Sequence, residues 1–138
     1  MNEYAERIAA IGAAANPTFM TLGITPVSWG GGEAVLKMTA ADGFHNGIGF
    51  LQGGFYVILA DESIALAILA ELDPEQGTTT ISETTEFIRG TKNDEIFAVA
   101  KIIRKGRRII FAEAEVRRGS IDGDLLSKTT ASYLITQC

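Results

Sequence analysis

The sequence predicts an α+β domain, one antiparallel β-sheet wrapped around a central apolar α-helix. Three observations lead there. A long apolar run, Gly54 to Leu72, exceeds the length of a typical strand, is rich in Ala and Leu, and has Pro74 just beyond its end. Four later segments are rich in β-branched residues with partial period-two alternation. At 138 residues the chain has room for one such core and not two.

Each element follows in order. Tyr4, Ile8 and Ile11 recur at helical spacing and predict a short amphipathic helix over residues 3–14, ending near Asn16-Pro17. Two strands, Leu22 to Trp29 and Glu33 to Met38, flank the turn Gly30-Gly31-Gly32. Residues 40–52 form a loop with glycines at 43, 47 and 49. The 54–72 helix is apolar on nearly every face, the mark of a helix surrounded by protein. Strands are then expected over Thr78 to Ile88, Glu95 to Arg104, Arg107 to Arg117 and Leu125 to Ile135. Lys105-Gly106 and Ser120-Ile121-Asp122-Gly123 supply turns between them.

Composition narrows the function. Hydrophobic residues make up 46% and charged residues 21%, an ordinary soluble balance. The net charge of −5 opposes a general affinity for nucleic acid. The lone cysteine, Cys138, has no partner for an internal disulfide, and one histidine, His45, cannot build a histidine-rich metal site. No metal or redox cofactor is implied. The N-terminus lacks a basic lead before an apolar run, and Asp61-Glu62-Ser63 interrupts the greasiest stretch. No membrane span and a cytoplasmic location are therefore expected.

Chemistry concentrates between Asn46 and Asp61. Gly53-Gly54 opens a helix, where a substrate can approach the backbone and unpaired N–H groups sit at the positive end of the helix dipole. Such a terminus can hold a phosphate or a developing oxyanion, although Gly-Gly before a helix is often only a turn. Asp61 has Val57, Ile58, Ile64 and Ala65 at helical spacing, so it belongs to an apolar ridge. Burial raises a carboxyl pKa unless a partner compensates, and a buried acid is a catalytic candidate. It is equally open as a cap for a neighbouring backbone or as the partner of an arginine across an interface, and Glu62 competes for the role. Gly53 and Asp61 are eight residues apart, about 12 Å along a helix, whereas a catalytic group must come within about 3 Å of its target. If both are catalytic, two antiparallel helices related by a two-fold axis must bring Gly53 of one beside Asp61 of the other, which requires a homodimer.

Asn46, Gly53, Gly54 and Asp61 fall in a register that resembles the PaaI-like branch of the hotdog-fold acyl-CoA thioesterases. That branch shows an Asn, a Gly-containing loop, His-Gly-Gly, and an Asp eight residues after the first of those glycines. The resemblance extends through Thr80, Glu86-Phe87-Ile88-Arg89 and the basic stretch Arg104-Lys105-Gly106-Arg107-Arg108. It implies hydrolysis of an acyl-CoA, with coenzyme A present only as part of the substrate. The Gly53 N–H, helped by Gly54 and Gln52, would polarise the thioester carbonyl. Asp61 of the partner would activate water or attack directly, and Asn46 would position the water or the carboxylate. Thr80 would hold the nucleophilic water, but reads equally as a strand-forming threonine. Arg89, Arg104, Lys105 and Arg107 would attract the phosphates of coenzyme A, against the plainer reading of a solvated hairpin. The family arrangement is a dimer or a tetramer built of two dimers.

One departure stands out: Gln52 occupies the position of the family's histidine, and an amide cannot carry a proton as imidazole does. That keeps a non-catalytic acyl-CoA binding or regulatory protein on the same fold as the alternative. A hydratase or dehydratase, which relies on a histidine with a carboxylate, fits less well. His45 reads as an exposed loop histidine. Phe50, Phe55 and Tyr56 suit an aryl or medium-chain acyl pocket and suit a core equally.

Overall fold

The computed structural model describes residues 1–137, so Cys138 lies outside the described residues. The expected architecture is present: six strands form one antiparallel sheet in the order β1-β2-β4-β5-β6-β3, with a long helix packed against one face. This is the hotdog fold.

The N-terminal segment differs from the expectation. The first helix, α1 (Glu3–Ile11), is capped by Asn2, whose side chain accepts from the Tyr4 and Ala5 amides. Ile8 is buried while Ile11 is exposed. After a 3₁₀ turn at Gly12–Ala15 comes a second helix, α2 (Pro17–Leu22), where a strand had been expected to begin at Leu22. Asn16-Pro17 therefore starts a helix. The Asn16 side chain caps the Thr18 and Phe19 amides, and proline fits the first helical position because its missing N–H would have no partner there. Gly23, at φ 73°, ends α2 in the left-handed region.

Strands β1 (Thr25–Gly30) and β2 (Glu33–Thr39) form the expected hairpin. Ala34, Leu36 and Met38 alternate inward on β2. The long helix α3 (Gly53–Leu69) stops short of Leu72. It buries Leu59, Ala60, Ile64, Leu66, Ala67 and Ile68 completely, so truncating Leu59 to Ala would cost about 2–5 kcal/mol. Strands β3 (Gln76–Phe87), β4 (Glu95–Lys105), β5 (Ile109–Arg118) and β6 (Leu125–Gln137) complete the sheet. No helix among the described residues is long and apolar enough to cross a membrane.

Two features of β3 matter for the site. It is an edge strand, pairing only with β6. Its register also shifts between Thr80 and Ser82, so that Ile81 is an extra residue, a β-bulge. Before the bulge Thr80 lies opposite the inward-facing Tyr133; after it Glu83 lies opposite the buried Ala131. Thr80 and Glu83, three residues apart, thus face the same helix.

Candidate active site

The loop before α3 is built around its polar side chains. Asn46 Oδ1 accepts from the Ile48 and Phe50 amides at 3.0 and 3.1 Å, which folds residues 46–50 into a compact turn. His45 is half-buried, not exposed as expected. Its Nε2 lies 3.2 Å from the Ala40 carbonyl and 3.0 Å from that of Lys92, so this nitrogen carries the proton and ties the loop to the segment before β4. The Gln52 backbone N–H donates to the Phe44 carbonyl at 2.9 Å, setting the entry to α3.

Gln52 is the N-cap of α3, yet its side chain makes no capping bond. The first amides of the helix, Gly53 and Gly54, are thereby left to other acceptors. Gly53 borders a cleft of about 340 Å³ lined by Asn46, Phe50, Tyr56, Phe87 and Arg89. A Cβ on Gly53 would come within 3.3 Å of the Phe87 ring, whereas one on Gly54 would meet nothing within 4 Å. Tyr56 meets Phe87 edge-on with ring centroids 6.0 Å apart, while Phe55 turns away and stacks on Phe44 at 4.6 Å.

Asp61 lies eight residues further along the same helix, about 12 Å from Gly53 at the usual rise. It is half-buried, and two hydroxyls compensate its charge. Thr80 Oγ1 donates to Asp61 Oδ1 at 3.0 Å, and Tyr133 Oη donates to the same oxygen. Tyr133 Oη also lies 3.1 Å from the Asp61 carbonyl, so the strand pair grips both the side chain and the backbone of this residue. Burial, and then the bond to Asp61, push the Tyr133 phenol up, which keeps it a donor. No ion pair among the described residues involves Asp61.

Glu62 points elsewhere. Its Oε2 accepts from Asn16 Nδ2 at 3.2 Å, and the same amide group lies 2.9 Å from Tyr4 Oη. Burial raises the Glu62 pKa, with the Asp61 charge adding to it. Glu62 thus anchors the N-terminal helices to α3, while Asp61 faces the β3–β6 pair.

Two residues of the cluster escaped the sequence reading, Tyr133 and Glu83. Glu83 is pushed up to about 7, first by burial, then by the charge of Asp61 and a hydrogen bond with it. A period-two count from Thr80 turns position 83 outward, and only the bulge brings it in. Tyr133 carries the ordinary signature of a buried strand residue.

The cationic residues divide between two places. Arg89 borders the Gly53 cleft and pairs with Asp124 at 3.1 Å; Arg118 and then Arg89 hold the Asp124 carboxyl below its usual range. Arg104, Lys105 and Arg107 line a separate concavity with Asp73 and Gln76, and Lys105 Nζ donates to the Glu71 carbonyl at 3.1 Å. That places them beyond the C-terminal end of α3, about 24 Å from Gly53 along a helix of this length. One chain therefore holds its amide terminus, its acid and its basic hairpin in three separated places. Among the described residues no group of three or more His, Cys, Asp or Glu side chains converges to hold a metal ion.

The geometry has relatives. A conserved protein from Pseudomonas aeruginosa is 28% identical, with a TM-score of 0.80 over 87% of this chain and 94% of that one. A phenylacetic acid degradation-related protein from Ralstonia eutropha superposes at 0.84, with 24% identity over 96% of this chain and 99% of the other. A thioesterase family protein from Silicibacter pomeroyi gives 0.86 at 20% identity, over 98% and 99%. No curated protein matches the chain by sequence. The model of the thioesterase superfamily matches residues 48–123, more than half of the 138. That stretch starts in the loop before α3 and contains the whole helix, the bulged strand and the basic hairpin, and so the chain belongs to the thioesterase superfamily.

Proposed function

We propose that this protein is an acyl-CoA thioesterase of the PaaI-like type, acting as a homodimer. The observation that carries the proposal is Asp61: a half-buried carboxylate on a buried helix, held in place by the Thr80 and Tyr133 hydroxyls on Oδ1. A carboxylate aimed in this way can take a proton from water or attack a carbonyl. The uncapped Gly53 and Gly54 amides, at the positive end of α3 with Gly53 beside the cleft, suit the developing oxyanion of a tetrahedral intermediate.

In the general-base form of the reaction, water adds to the thioester carbonyl carbon as Asp61 takes its proton. The C–S bond then breaks, and the thiolate leaves and is protonated. Gln52 lies beside the carbonyl as an amide donor. Thr80 and Asn46 act through position, Thr80 on Asp61 and Asn46 on the loop that delivers Gly53.

Two-fold pairing completes the site. The unpaired edge of β3 carries exposed Ile81 and Phe87 and offers a free row of backbone groups for a second copy. Antiparallel pairing there runs the two α3 helices in opposite directions, so that Gly53 of one protomer meets the partner's acid. The same arrangement carries the partner's Arg104, Lys105 and Arg107 past the N-terminus of α3, toward Arg89 and the cleft mouth, where the phosphates of coenzyme A would lie.

The test is release of free thiol from short, medium and aromatic acyl-CoAs, alongside Asp61→Asn. Turnover that falls by about a thousandfold in the variant supports the proposal. Silence across the panel with tight binding of the esters would instead favour a binding protein, which the missing histidine at Gln52 allows.

A further inference from the structure

Asp61 has a second acid beside it, and the pair is lopsided. The bulge at Ile81 turns Glu83 toward the stretch of α3 that carries Asp61. Both hydroxyl donors at this spot, Thr80 from β3 and Tyr133 from β6, serve Asp61 Oδ1. Glu83 receives neither, and its Oε2 is buried without a partner.

Tyr133 on β6 faces the pair, and Glu62 on α3, turned toward Asn16, still feels the Asp61 charge; neither supplies a positive charge. The cation of β6, Lys128, pairs with Glu113 at 3.4 Å and lies opposite Glu86, on the outward side of the sheet. No ion pair among the described residues reaches Glu83. Two adjacent carboxylates without a cation share a proton at modest pH, because ionising both sets like charges side by side. The acid that has donors keeps the charge, and the acid that has none keeps the proton.

Building on the hydrolase reading, we propose that Glu83 is a positioning residue that carries the one proton the two carboxyl groups share and donates it to Asp61. Held this way, Asp61 stays an anion with three donors around it, aimed by both strands of the β3–β6 pair. Burial and the Asp61 charge place the loss of that proton at about pH 7. Above it, a second negative charge repels the Asp61 carboxylate from its setting.

Carbon-13 NMR of the full-length protein with labelled glutamate carboxyls tests this directly. The expected result is one glutamate that titrates near pH 7 in the wild type, disappears in Glu83→Gln, and moves to lower pH in Asp61→Asn. Absence of such a group, or one that Asp61→Asn leaves in place, overturns the proposal. The wild-type titration needs no variant to fold. Kinetics supplies a second readout: kcat/KM of the wild type should decline as pH rises through about 7, while Glu83→Gln, a permanent donor, should lack that limb. A purely structural Glu83 would rescale the profile without moving it, and that outcome also overturns the proposal. Zero turnover with the titration intact would remove the hydrolase reading and leave the shared proton standing; turnover without the titration would do the reverse.

Discussion

Thr80 and Tyr133 face each other directly across the β3–β6 ladder, and both donate to the same oxygen of Asp61. A cross-strand pair fixed by the sheet's own register therefore aims a side chain on the helix. The two donors differ in setting, since Thr80 is exposed and Tyr133 is almost fully buried. Tyr133→Phe should lower unfolding stability by about 2 kcal/mol, the usual scale for a hydrogen bond to a charged group. Thr80→Val should leave the melting temperature nearly unchanged while cutting kcat/KM about tenfold. Thermal unfolding and steady-state kinetics on both variants would check the contrast.

The uncapped start of α3 invites a trade between stability and activity. Gln52 makes no capping bond, so Gln52→Ser should add about 1 kcal/mol by satisfying an amide of the first turn. That bond would occupy a donor the proposed reaction uses, and kcat should fall as the melting temperature rises. A gain in both would show that those amides take no part in the chemistry.

Cross-subunit assembly can be tested by complementation. Gly53→Pro removes one N–H at a helical position that tolerates proline, and Gln52 already has the extended ψ of 135° that a residue before proline prefers. Gly53→Pro and Asp61→Asn should each be nearly inactive alone. Mixed and reassociated in equal amounts, they should recover about a quarter of wild-type activity, because half the dimers are hybrids with one intact site. No recovery would place both residues in the same protomer's site.

The raised acid also predicts a pH dependence of stability. The folded chain holds the Glu83 proton more tightly than the unfolded chain, so between about pH 4.5 and 7 it binds more protons. Stability contributed by this proton is complete at the low end of that window and declines as pH rises through it. Solvent still reaches the group, which reduces the effect to about 1 kcal/mol. Denaturant unfolding of wild type and Glu83→Gln across that range would isolate the slope.

Much of the fold was legible because its signals are local. The length and composition of the α3 segment marked a buried helix, and the glycine turn between the first two strands and the partial alternation of the later ones marked a sheet. Pro17 misled, because the same residue stops one helix and starts another; the Asn16 cap before it was the signal that decides. Asp61 stood out as an acid among apolar neighbours. Glu83 did not, since a bulge has no reliable sequence mark and a strict two-residue period turns it to solvent. The separation of Arg89 from Arg104, Lys105 and Arg107 depends on which ends of β3 and β4 meet α3, a tertiary fact that spacing does not carry.

Strand arithmetic at Ile81 decides more than the shape of an edge. Removing that one residue would invert the facing of everything from Ser82 to Phe87, taking the Glu83 carboxyl away from Asp61 and the Phe87 ring off Gly53 in one stroke. Chemistry at the middle of α3 and access at its tip are thus governed by a single count, and a change in length there would alter both before any side chain was replaced.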